Sequence, residues 1–165
     1  MEFTAFCTWL EALHYSAAIR EYDWLFPVIE TVHVLALTLV VGSIATVDLR
    51  LLGVTSCQRP ITDVAADVLP LTWGAFGIAV VSGFLMFSSA AVKYSTDGPF
   101  RLKLVLLALA GMNMSIFHSV TYRRVLEWND TAPSPAAKMA GAISLLLWIG
   151  IVFCGRWVGF TTSDG

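Results

Sequence analysis

The chain of 165 residues has only three imidazoles, His14, His33 and His118, and two of them fall inside long apolar stretches. An ionisable side chain in such a stretch is costly in lipid and by default marks a site facing a bundle interior. Glu30 and His33 are about one helical turn apart, and Asp48 follows Glu30 by eighteen residues, about five turns. The three therefore share one face of a single helix. Further on, Met114 and His118 follow Lys103 by eleven and fifteen residues, close to whole turns, and define a second polar face.

Imidazoles on facing helices of a bundle are a common way to hold haem iron, so His33 and His118 are candidate axial ligands of haem b. Depth speaks against one shared iron. The two differ by on the order of 13 Å along the bundle at 1.5 Å per residue, whereas each imidazole must come within roughly 2 Å of the metal. Two other partners are expected near the depth of His33. Met86 offers a thioether, and His/Met ligation is ordinary for haem. His14 offers a third imidazole. Lys103 and Arg156 would suit the propionates as counter-charges, while Glu30 could neutralise either cation. Asp48, His118 and Arg123 form a second polar group at the opposite depth, and Arg50 and Asn113 are further candidates for the polar layers. Two other chemistries stay open. His33 could bind a soft metal with Met86, Met112 or Met114, and Glu30, His33 and Asp48 could relay protons along one face. No H-E-x-x-H, Gly-rich phosphate loop or Ser-His-Asp spacing stands out.

The elements that must position these residues follow from composition. Hydrophobic residues make up 57% of the chain and charged ones 13%, about half of what a water-facing surface carries. Mean hydropathy is +0.74. Four stretches have the roughly 20 apolar residues needed to cross the hydrocarbon core: about 25–47, 68–92, 104–122 and 139–160. Each must be helical, because unpaired backbone groups are too costly in lipid. Trp24, Tyr94, Tyr122, Trp128 and Trp157 sit near their ends, where amphipathic rings favour the interface. Residues 4–20 differ: Phe6, Trp9, Leu10, Leu13 and Ala17 recur at helical spacing, which predicts an amphipathic helix lying in the interface. The other reading is a helix packed on the end of the bundle. The predicted fold is all-α, an integral membrane up-down four-helix bundle in one domain spanning 1–165.

Turn signals at Gln58-Arg59-Pro60, Ser95–Pro99 and Asn129–Pro135 separate the spans. Gly74-Ala75 with Gly83 matches Gly141-Ala142 with Gly150, a small-residue pattern that favours close helix approach in lipid. Five Lys or Arg flank the spans on each side, so the positive-inside rule leaves the orientation undecided. The net charge of −2 gives no reason to expect nucleic acid. Three cysteines, Cys7, Cys57 and Cys154, form no C-x-x-C pair. Glu2 stands where a cleavable signal peptide would be basic, so membrane entry is expected from the first span.

The run Glu30-Thr-Val-His33, Gly42, Asp48-Leu-Arg50-Leu-Leu-Gly53, Phe100-Arg101-Leu-Lys103 and Asn113 through His118 resembles an uncharacterised group of bacterial four-helix membrane proteins over nearly the whole chain. Spans one and three are more distantly similar to the four-helix, haem-b-binding protoporphyrinogen oxidases. That likeness implies haem-associated positions at His33 and His118 and matches Lys103 to the lysine opening span three. Glu30 stands where those enzymes carry a lysine, and Asp48-Leu-Arg50 replaces their P-R-L turn, so their activity is not carried over. The resemblance implies a bacterial inner-membrane location.

The leading expectation is a haem-b-binding, cytochrome b-like protein passing electrons. It would be a partner or subunit of a redox system, facing a partner protein or a quinone, as a homo-oligomer or within a larger complex. The alternatives are a cofactor-free membrane subunit or small proton-coupled transporter, and an oxidoreductase acting on a porphyrin- or quinone-like substrate.

Overall fold

The computed structural model describes residues 2–55, 59–125 and 133–163, which form helices joined by short turns, with no strand among them. Cys57, Gln58, Trp128 and most of the loop before the last span lie outside the described residues. The order is α1 (Glu2–Glu11), α2 (His14–Glu21), α3 (Leu25–Leu52), α4 (Ile61–Ser89), α5 (Ala91–Thr96), α6 (Gly98–Ile116) and α7 (Pro135–Ser163). A π turn at Phe117–Thr121 and a 3₁₀ turn at Tyr122–Arg124 continue α6.

Local chemistry accounts for the helix ends. Asp97 caps α6 by accepting from the Phe100 N–H at 2.8 Å, with Pro99 in the first turn, where no amide hydrogen is missed. Ser134 does the same for α7, accepting from Ala137 N–H at 3.2 Å just before Pro135. At the end of α3 the chain reverses through Gly53 at φ 76°, with Val54 N–H on Leu49 O at 3.0 Å, a Schellman closure that favours glycine. Pro70 sits inside α4, a substitution that neighbouring helices make tolerable in membranes.

Four helices are long and apolar enough to cross a membrane: Leu25–Leu52, Ile61–Ser89, Gly98–Thr121 and Pro135–Thr161. Their outer faces expose large apolar side chains, with Leu146 at 70% and Leu35 at 62%. Hydrocarbon is the solvent that tolerates such a surface, and the chain is an integral membrane protein built on a helical bundle. The helices run past the stretches predicted from apolar content because polar residues such as Asp48 and Asp63 lie within them. A span must keep its backbone bonds intact whatever side chains it carries.

α3 packs on α4 and α7, and α6 packs on α7, whereas α4 and α6 barely touch among the described residues. His33 meets Gly83, Gly141 meets Asp48 and Leu51, Gly150 meets Leu106, and Gly155 meets Lys103. Residue numbers rise on one helix as they fall on the other, so each of these contacting pairs is antiparallel. Midway, Val40, Ala75, Trp148 and Ile151 form an apolar cluster, with Leu106, Leu107 and Ala110 of α6 against it. Nearer one end, Leu51, Ile61, Val125 and Ala137 form another, packed by Phe117 and Tyr122.

The N-terminal segment is two helices broken after Glu11, rather than one over 4–20. Their inner face docks on the α4–α5 junction, where Cys7 and Leu10 pack on Ala91. Polar bonds fix the break. Arg20 donates to Ser89 O and Glu11 O at 2.9 Å each, Glu11 Oε1 accepts from Val92 N–H at 2.8 Å, and Ser16 donates to Leu10 O at 2.9 Å. Phe3, Phe6 and Trp9 stay exposed on the other face.

Candidate functional site

The side chains capable of chemistry gather in two layers. In the first, α3 contributes His33, α4 Ser82 and Gly83, α6 Lys103, and α7 Cys154 and Gly155. The His33 ring lies so close to α4 that a Cβ on Gly83 would stand 2.9 Å from its Cε1. Any larger residue at this position would require the ring to shift.

Hydrogen bonds orient the His33 ring. Ser82 Oγ donates to Ile78 O at 2.7 Å and to Ala79 O at 3.3 Å, which leaves it to accept from His33 Nδ1 at 3.0 Å, and the Ala79 carbonyl also interacts with the ring. This arrangement favours the tautomer with the proton on Nδ1, and Nε2 makes no hydrogen bond among the described residues. Lys103 is half-buried, with its side chain along Gly155 and its charge acting on both His33 and Cys154. Among the described residues its ammonium has no hydrogen bond and no carboxylate partner. A bare imidazole nitrogen beside an unpaired cation can hold an electron-accepting centre that bears acidic groups. In donor chemistry these residues fit a haem: Nε2 suits the iron and Lys103 suits a propionate.

Met86 is half-buried, three residues beyond Gly83 on α4. His14 is exposed at the start of α2, and Glu30 is exposed, with no ion pair to Lys103 or Arg156 among the described residues. Arg156 is exposed too, its guanidinium 5.3 Å from the Phe160 ring centroid. Of the residues the sequence singles out for this depth, the structure thus brings His33 and Lys103 together and turns Glu30 and Arg156 outward.

The second layer lies at the other end. Asp48 is 5% exposed, with Ser144 of α7 within hydrogen-bonding reach of its carboxyl group, yet its Oδ2 has no partner among the described residues. Asn113 donates to Ala140 O at 3.0 Å. Arg50, 2% exposed, donates through Nε to Arg59 O at 2.9 Å. His118 is exposed in the π turn, with Nδ1 on Met114 O at 3.1 Å and its ring 5.3 Å from that of Tyr122. A carbonyl only accepts, so this Nε2 also keeps its lone pair. Arg123 is exposed.

The register separates the two histidines. Gly155 lies fourteen residues beyond Gly141, which meets Asp48, so Gly155 and its neighbour Lys103 fall level with about residue 34 of α3. His118 is fifteen residues past Lys103, about 22 Å along the bundle. That gap exceeds the one expected from span midpoints, because α6 starts earlier than its apolar stretch.

Ser82, Gly83, Cys154, Gly155 and Ser144 escaped the sequence reading as site residues. Gly83 had a signal, its place in the small-residue pattern. A serine or cysteine in an apolar run carries none.

The whole bundle is matched by one family model, a family of unknown function (DUF6644), over residues 6–161. No curated protein and no solved structure matches the chain. A match that runs from α1 to the last turns of α7 takes in both polar layers and the N-terminal pair, and the chain belongs to the DUF6644 family.

Proposed function

We propose that the protein binds haem b in the membrane and passes electrons, with His33 as an axial ligand and Lys103 as a counter-charge to the propionates. The observation that supports this reading is the His33 imidazole, held by Ser82 at Nδ1, with Lys103 in electrostatic reach and without an ion-pair partner among the described residues. Ligating histidines characteristically donate their other ring nitrogen to a neighbouring acceptor, which fixes their orientation. Met86, one turn from Gly83, is the second ligand in this reading. Bound haem would supply a one-electron iron couple, and the chain's own residues orient the ring and neutralise acid. The bundle is up-down in a bacterial inner membrane, with α1 and α2 at its interface. There Phe3, Phe6 and Trp9 enter the lipid. The distant likeness to haem-binding protoporphyrinogen oxidases, which covers His33, His118 and Lys103, agrees with this at His33 and Lys103 and not at His118. A partner protein or a quinone would take the electron.

The test is the visible spectrum of purified protein, produced with haem supplied. A Soret band with reducible α and β bands is expected. A colourless protein of native helical content rejects the reading.

A second reading is favoured by Asp48, whose buried and unpartnered oxygen suits a proton-coupled subunit or transporter. Its relay along α3 would have to pass the apolar cluster of Val40, Ala75, Trp148 and Ile151, which ranks it second. Proton uptake by proteoliposomes that is lost in Asp48→Asn would favour it.

A further inference from the structure

Between α3 and α7 the outer surface carries a trough of about 540 Å³. Ala45 and Leu145 form one end, Trp148, Val152 and Phe153 line its length, and Arg156 stands at the other end as its only charged residue. From Leu145 to Arg156 is eleven residues, about 16 Å along α7. That is close to half the roughly 30 Å hydrocarbon thickness, the depth of a single leaflet. The Arg156 guanidinium, stacked toward Phe160, has no hydrogen bond or ion pair among the described residues. It sits seven residues from the end of α7, where an interfacial cation belongs.

We propose that this trough is a binding site for one anionic phospholipid of the membrane, with an acyl chain against Trp148 and the headgroup phosphate on Arg156. Length and charge both select this occupant. The apolar walls run one leaflet deep and end on a guanidinium, whose planar fork matches phosphate oxygens. A second transmembrane helix would gain nothing from a lone cation, and a zwitterionic lipid, whose phosphate is offset by its own ammonium, would neutralise that cation less than an anionic one. The site is independent of any haem, since His33 and Lys103 do not line it.

Native mass spectrometry of the full chain in neutral detergent tests this, by titration with phosphatidylglycerol and with phosphatidylcholine of the same acyl chains. One retained phosphatidylglycerol is expected, preferred by about fivefold, as one basic residue at an anionic surface implies. Arg156→Gln should abolish the preference and Arg156→Lys should keep most of it. Ala45→Trp, which fills the far end of the trough, should weaken both lipids. Equal retention of the two lipids by the unaltered protein overturns the proposal, as does a preference that survives Arg156→Gln. Undiminished binding in Ala45→Trp overturns the trough as the seat of the chain.

Discussion

The two polar layers are built from similar residue types and reach opposite electrostatic arrangements. Around His33, the donors and acceptors of α4 hold one ring nitrogen, and among the described residues the other makes no hydrogen bond and the nearby cation has no counter-ion. Around Asp48, an acid is sealed from solvent with one oxygen unpartnered, while the neighbouring Arg50 turns to the Arg59 carbonyl. The first layer offers a lone pair and a positive charge to something that arrives. The second holds a buried acid among packed backbone, where Gly141 lets α7 approach so that a Cβ would sit 3.1 Å from Asp48 O. An apolar cluster lies between them. Similar polar residues in a membrane therefore need not form one continuous pathway.

The largest expected effect separates the layers outright. His33→Ala should remove the Soret band while circular dichroism stays helical, and His118→Ala should leave the band in place. Loss of haem in both variants would break the distinction, because it would require two rings about 22 Å apart to meet. Ser82→Ala comes next. Without its acceptor the His33 ring loses orientation, and haem affinity measured by titration should fall about 10- to 100-fold.

A smaller effect belongs to Gly83. Gly83→Ala places a methyl 2.9 Å from the His33 ring, and overpacking of this kind costs about 1–3 kcal/mol. Thermal unfolding in detergent reads it. Gly111→Ala, with nothing within 4 Å of the added carbon, should instead be neutral or stabilising by up to about 1 kcal/mol. Equal behaviour of the two variants would mean that His33 does not rest on α4. The smallest effect lies in the second layer. Asn113→Ala removes the bond to Ala140 O, and polar bonds between membrane helices average about 0.6 kcal/mol. A slight loss of stability with an unchanged spectrum is expected.

The spans were legible because crossing hydrocarbon demands a length and an apolarity that few other segments meet. The Pro99 and Pro135 starts were legible as turn chemistry, whereas the reversal at Gly53 was not read. The break between α1 and α2 was not. It depends on Arg20 and Glu11 reaching α4 and α5, residues distant in sequence. The π turn at His118 was hidden for the same reason: Phe117 and Tyr122 pack against a cluster drawn from α3, α4 and α7. Glu30 and His33 share a face by spacing, yet His33 rests on α4 while Glu30 stays exposed. Adjacent turns of one helix meet different neighbours.

By itself the sequence determined four membrane-spanning helices and the spacing of the ionisable side chains along each one, since both follow from counting residues along a helix of known rise. Tertiary structure alone decided which of those side chains meet. In water, an amphipathic stripe would announce the inward face of each helix. In lipid the outer face is as apolar as the inner one, so the rotation and register of each span are set only by packing. That packing put His33 on Ser82 and Gly83 and set Lys103 on Gly155 at the same depth, without an ion-pair partner among the described residues.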